Sequence, residues 1–211
     1  MNTTFPPGPH LILASGSPRR RAMLEALGLQ LQVTPANTEE RLLAGEEPLA
    51  TALRLAMEKA DAVRGAALCV LAADTIVVCD GRILGKPGSA ADAYAMWRRL
   101  SGRTHQVITG VALRMPDGER SNLAEVTDVT FRTLSEGDLA AHEAAGDWHD
   151  KAGAYAVQGH AASWTTRICG SYTNVVGLPL AQVVSALYRL HPGWPALPWS
   201  RHDDGSRNPQ P

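Results

Sequence analysis

The stretch Leu68–Val78 is almost unbroken apolar sequence, rich in valine and isoleucine. A run of this kind fits a central strand covered on both faces, because a half-solvated strand would alternate apolar with polar residues. One charged residue, Asp74, interrupts it. An ionised carboxylate in such a strand is costly unless it is paired, hydrogen-bonded or bound to metal. A functional role is therefore favoured over the alternative, a structural aspartate taking backbone N–H bonds at a strand end.

A second stretch, Ala14-Ser15-Gly16-Ser17-Pro18-Arg19-Arg20-Arg21, follows the short apolar run Leu11–Leu13, which reads as a buried strand. It leads into a helical pattern from Arg20 to Leu27, with Ser17 as N-cap and Pro18 as first helical residue. Free N–H groups and the helix dipole make such a start an anion site, and arginine forks match phosphate oxygens. The two hydroxyls and three arginines read as a phosphate grip. The competing reading is an ordinary cap followed by a solvated arginine face.

Further along, Gly28 reads as a helix stop and Leu29–Thr34 as a strand. Asn37–Glu40 is an acidic loop. From Pro48 the spacing of Leu49, Ala52, Leu53, Ala56, Met57, Ala60 and Val63 predicts a helix with a core-packing face, and Lys59 lies near its end. Asp80-Gly81 forms a tight turn returning through Ile83-Leu84. Gly85-Lys86-Pro87-Gly88 is no Walker loop, since Gly81 is one residue too close and Pro87 replaces the Ser/Thr. Its lysine still stands in a rigid, exposed place suited to an anion.

Ser89 and Asp92 resemble a capping box opening a helix to Leu100, stopped by Gly102. Gln106–Met115 and Leu123–Thr133 read as strands joined by Asp117-Gly118. Ser135 and Asp138 open a helix to Ala145. His142-Glu143 within it is no zinc motif, because Gly146 stands where the second histidine belongs. Trp148–Gly159 reads as an unusual stretch of polar and small residues, Ser163–Cys169 as a strand, Gly170–Gly177 as a polar turn, and Leu178–Leu190 as an amphipathic helix.

A formal net charge of −1 gives no basic field for nucleic acid, and no apolar run approaches membrane-spanning length. Cys69, Cys79 and Cys169 are odd in number without CxxC spacing, as expected of reduced cytosolic thiols. Met1–Pro9 lacks the basic start and apolar core of a signal peptide. Met1–Pro9 and His191–Pro211 are expected to be disordered ends around a domain spanning 10–190.

Ala14–Arg20, Ala73-Asp74-Thr75, Gly85-Lys86-Pro87, Gly102–Gly110, Asp150–Tyr155, Gln158-Gly159 and Gly170–Leu180 together resemble the Maf family of nucleoside triphosphate pyrophosphatases. They follow the family's order over about Leu11 to Leu190. The resemblance implies an α/β fold similar to the inosine triphosphatase group: an elongated mixed sheet with flanking helices and two lobes around a cleft. It also implies links to septum formation and to removal of non-standard nucleotides.

By the same resemblance, Asp74 is a proton acceptor or metal-linked carboxylate and Lys86 its catalytic companion. Arg19, Arg20, Lys59 and Lys86 would surround the phosphates, with Ser15 and Ser17 donating from the turn. Glu40 and Asp74 would hold a divalent cation, Mg, Mn or Co. Glu39 stands where the family often carries Asp.

Asp74-Thr75 and the Asp150–Tyr155 run with Gln158 match the family's pyrimidine branch, which acts on dTTP and UTP. Arg19, Thr75 and Gln158 match positions that set base preference, and an amide such as Gln158 suits the O4/N3 edge of uracil or thymine. The expectation is a cytoplasmic, metal-dependent dTTP/UTP pyrophosphatase with a nucleoside triphosphate as partner, no nucleic acid, no membrane, and a homodimer left open. A 7-methyl-GTP pyrophosphatase and a nucleotide-binding division regulator with little turnover are the alternatives.

Overall fold

The computed structural model describes residue 8 and residues 10–191. The expected disordered ends fall almost wholly outside them.

The buried run forms β3 (Cys69–Cys79), eleven residues of which only Thr75 is more than marginally exposed. β1 (Leu11–Leu13) pairs parallel with it, and β2 (Leu31–Val33) pairs parallel with β1. On its other edge β3 pairs antiparallel with β5 (Thr104–Arg114), followed by β6 (Arg120–Phe131) and β7 (Thr165–Cys169). β4 (Arg82–Leu84) folds back on β3 through Asp80 and Gly81, both at positive φ. The described residues thus form one mixed seven-stranded sheet in the order β2-β1-β3-β5-β6-β7.

Helices cover both faces. α2 (Pro48–Ala62) lies against β3 and β5, where Ala56 and Ala60 meet Ile12, Val70 and Ala72. The opposite face takes α1 (Pro18–Glu25) and α6 (Leu180–Leu190), which pack Leu24, Val183 and Leu187 against Leu11, Leu13, Leu71 and Leu113. Neighbouring residues of β1 and β3 therefore serve different layers, as the two-residue strand period requires. α3 (Ala90–Leu100) and α4 (Glu136–Ala145) enclose a third cluster around the fully buried Trp97, Trp164 and Phe131.

Several local expectations are corrected. α1 begins at Pro18 and ends at Glu25, short of Leu27. Arg21 pairs with Glu25 at 2.7 Å on the exposed helix face and, unlike Arg19 and Arg20, does not line the cleft described below. Leu49 is 43% exposed, because it sits in the first turn of α2 outside the core. Asp92 does not complete a capping box; its carboxylate accepts from Gly88 N, while Ser89 Oγ accepts from Asp92 N. The full box occurs at Ser135 and Asp138. The polar turn before α6 contains a short helix, α5 (Tyr172–Val176), with Asn174 completely buried. All three cysteines are free.

Candidate active site

β1 is short and covers β3 only as far as Leu71. Beyond that point its chain leaves the sheet as Ala14–Ser17, exposing the middle of β3 beside the carboxyl end of a parallel strand. Crevices of α/β sheets open at such places. A cleft of about 340 Å³ lies here, and Ser15, Ser17, Arg19, Arg20, Glu40, Lys59, Asp74, Thr75, Lys86 and Gln158 all line it.

The turn wall is built by the cap of α1. Ser17 Oγ accepts from Arg20 N at 3.5 Å, and Ser15 Oγ accepts from Ser17 N at 3.3 Å and Arg20 Nη1 at 3.1 Å. With its lone pairs so occupied, the Ser15 hydroxyl hydrogen is left to donate. Arg20 is tied further, Nε to Gly177 O at 2.8 Å and Nη2 to Thr75 Oγ1 at 2.9 Å. Burial pulls the Arg20 guanidinium below its ordinary pKa, and Arg19 adds to this, against the raising influence of Asp74 and Glu40.

On the opposite face of β3 stands a ladder of alternating charge. Asp74 points to the α2 layer, where Lys59 Nζ lies 2.5 Å from its Oδ1. The same ammonium lies 2.7 Å from Glu40 Oε1, and Lys86 Nζ lies 2.7 Å from Glu40 Oε2. Burial alone would raise the Glu40 carboxyl, but hydrogen bonds and charge from Lys59 and Lys86 overcome it and hold it at about 2. Glu40 is anionic at neutral pH.

Thr75 falls on the other side of the strand from Asp74, so the two adjacent residues enter different networks. The third wall is Lys151–Gln158. Gly153 at φ +67° lets this segment cross Val77 closely, and Gly153 N donates to Gly85 O at 3.1 Å, just before Lys86. Ala154 also has positive φ, and its carbonyl accepts from Trp97 Nε1 at 2.7 Å and His142 Nε2 at 3.1 Å. Tyr155 shares a 2.8 Å hydrogen bond with the buried His105. Gln158 is exposed toward the cleft.

Lys151 is a cleft residue to which sequence reasoning gave no role. It reaches Asp150 at 2.6 Å, with a side chain only 12% exposed. Its signal was a lysine directly before a glycine-containing small-residue run.

Among the described residues no cluster of three or more His, Cys, Asp or Glu could hold a metal. The two cleft carboxylates, Asp74 and Glu40, share the Lys59 ammonium, which leaves Asp74 Oδ2 as the carboxylate oxygen without a lysine. Mg²⁺ commonly takes only one or two carboxylates and completes its shell with substrate phosphates.

Fold and cleft define an α/β protein in which the arginine-bearing start of α1 faces the Asp74–Lys59–Glu40–Lys86 ladder across one cleft. Residues 10–190 match the family model described as Maf-like protein. A dTTP/UTP pyrophosphatase of Anaeromyxobacter dehalogenans is 47% identical over 196 residues, covering 92% of this chain and 98% of that protein. One of Geobacter sulfurreducens is 48% identical over 185 residues, covering 85% and 96%. A solved HAM1 protein from Coxiella burnetii aligns over 86% of this chain and 100% of its own, with 18% identity and a TM-score of 0.44. The chain belongs to the Maf family.

Proposed function

We propose that this protein hydrolyses dTTP and UTP to the nucleoside monophosphate and pyrophosphate. The observation that carries the reading is the ladder Asp74–Lys59–Glu40–Lys86 facing the capped N-terminus of α1 across one cleft. The names of the relatives supply the nucleotide class.

Asp74 takes a proton from a water that attacks the α-phosphorus. The bond between that phosphorus and the bridging oxygen breaks, and pyrophosphate leaves with the bonding pair. Arg19, Arg20, Lys86, the Ser15 hydroxyl and the N-terminal end of α1 meet the charge on the departing phosphates. Lys59 holds the Asp74 carboxylate in place. Glu40 and Asp74 would hold a divalent cation (Mg, Mn or Co), which supplies charge neutralisation at the phosphates. On the base side, Gln158 reads O4 and N3–H of uracil or thymine. A cytoplasmic setting fits the free thiols, and no helix of the described residues is long and apolar enough to cross a membrane.

The test is pyrophosphate release from a panel of dTTP, UTP, CTP, ATP and 7-methyl-GTP, with and without Mg²⁺ or Mn²⁺. Turnover of dTTP and UTP well above the others is expected. Faster turnover of 7-methyl-GTP overturns the base assignment, and tight binding without turnover overturns the enzyme.

A further inference from the structure

Thr75 and Thr109 are cross-strand partners on β3 and β5, and their hydroxyl oxygens lie 2.9 Å apart. Thr109 is completely buried and does not line the cleft. The ends of this contact fix its direction. A guanidinium can only donate, so Thr75 Oγ1 accepts from Arg20 Nη2 at 2.9 Å. At the far end the Thr109 hydroxyl meets the carbonyl oxygen of Asn174 at 3.3 Å, which can only accept. Thr75 must then donate to Thr109, and Thr109 to Asn174. The result is a one-way chain of donors from Arg20 to the backbone of α5.

Its anchor is firm. Asn174 is fully buried, and its Nδ2 donates to Val107 O at 3.0 Å and Thr127 Oγ1 at 2.9 Å, on β5 and β6. Head-to-tail hydrogen bonds in a low-dielectric interior strengthen one another. If Thr109 could not accept, the Thr75 hydroxyl would turn to Gly177 O, 3.4 Å away. That oxygen already takes the Nε–H of Arg20, so the Thr75 hydroxyl would crowd one of the three acceptors, Gly177 O, Ser15 Oγ and Thr75 Oγ1, whose separate placement frames the guanidinium.

We propose that Thr109 is a positioning residue for the phosphate grip, orienting the Arg20 guanidinium through Thr75. The proposal rests on the pyrophosphatase reading, in which Arg20 meets phosphates. The Thr75 hydroxyl is committed to Arg20 and Thr109, so the effect falls on the phosphates shared by every nucleoside triphosphate and not on the base.

The experiment compares wild type with Thr109→Val, which keeps the shape and removes the hydroxyl, and Thr109→Ser, which keeps the hydroxyl. KM and kcat are measured for UTP, dTTP and CTP, and binding of inorganic tripolyphosphate by calorimetry. Thr109→Val is expected to raise KM for all three nucleotides, and Kd for tripolyphosphate, by about fivefold, the factor equivalent to one hydrogen bond of about 1 kcal/mol. kcat changes much less, and Thr109→Ser restores the wild-type constants. In an Arg20→Ala background Thr109→Val adds nothing further.

Wild-type constants in Thr109→Val, a change confined to one nucleotide, or additive losses in the Arg20→Ala background would each overturn the proposal. Thr109→Ala deletes the same hydroxyl without adding a methyl and carries the same expectation if the valine variant does not fold. Weakened tripolyphosphate binding in Thr109→Val, beside a wild type that hydrolyses no nucleotide, would uphold the chain and remove the pyrophosphatase reading.

Discussion

Lys59 Nζ lies 2.5 Å from Asp74 Oδ1, and neither side chain is more than 10% exposed. The pair joins α2 to the middle of β3, and the lysine keeps a second partner in Glu40. Asp74→Asn preserves shape and leaves Lys59 that second partner, so the fold is expected to survive. Pyrophosphate release should fall to background while calorimetry still detects UTP. Near-normal turnover in the folded variant would remove Asp74 from the role of proton acceptor.

Arg19→Ala and Lys86→Ala are expected to weaken triphosphate binding separately, each by roughly 1.5 to 3 kcal/mol, the range for a hydrogen bond to a charged group. Lys86 is half exposed and Glu40 retains Lys59 in its absence. Its loss should therefore move unfolding stability by less than about 0.5 kcal/mol. Steady-state kinetics and urea unfolding, run side by side, check both halves.

Gln158→Ala should narrow the ratio of kcat/KM between UTP and CTP more than it changes tripolyphosphate affinity. Cytosine presents a donor where uracil presents O4, so a site that satisfies one leaves groups unpaired against the other. An unchanged ratio would place base reading elsewhere on the Lys151–Gln158 wall.

Gly110 lies opposite Asp74 in β5 and under α2. A Cβ there would stand 2.3 Å from Ala52 O and 2.6 Å from Leu53 N, backbone atoms that cannot swing aside. Gly110→Ala must push α2 off the sheet, at a cost of about 3 kcal/mol. It should also separate Lys59 from Asp74, so activity is expected to fall further than stability alone explains. Urea unfolding and UTP hydrolysis at a temperature where the variant is folded test this.

His105 is buried, and desolvation lowers its pKa from the ordinary 6.5 to about 4. The unfolded chain binds the proton that the folded chain refuses. Stability contributed by the neutral ring is therefore complete above about pH 6.5 and lost as pH falls from there toward 4, a swing of roughly 3 kcal/mol. In His105→Gln the difference in unfolding free energy between pH 7 and pH 4 should shrink by about that amount. An unchanged pH dependence would show that His105 titrates normally.

Much of the framework was legible because it follows from single-element physics. β3 announced itself by burial on both faces, and the α1 start by Ser17 and Pro18. Arg21 was misplaced, although Glu25 four residues on is a helix-surface partner readable from spacing. Thr75 was named by resemblance as a base-preference position, and only strand alternation shows that it and the adjacent Asp74 go to opposite layers of the sheet. α5 could not be read at all. Five residues are too few for a periodic signal, and Asn174 is buried only because β5 and β6 supply its partners. Lys151 likewise gains its place from a fold-back, of which the small-residue run after it is a local sign but not its destination against Val77.

The bond from Gly153 N to Gly85 O joins the wall that would face the base to the loop that carries Lys86. It is made by main chain on both sides, between residues with no side chains. Whatever amino acids stand around it, the spacing of the two walls is kept by atoms that every residue but proline possesses. On the proposed reading, exchanging the side chains at Gln158 or Lys151 to suit a different base is expected to leave the grip on the phosphates in place. Such an architecture would separate what is recognised from how firmly it is held, and an engineer seeking new nucleotide preferences would vary the former alone.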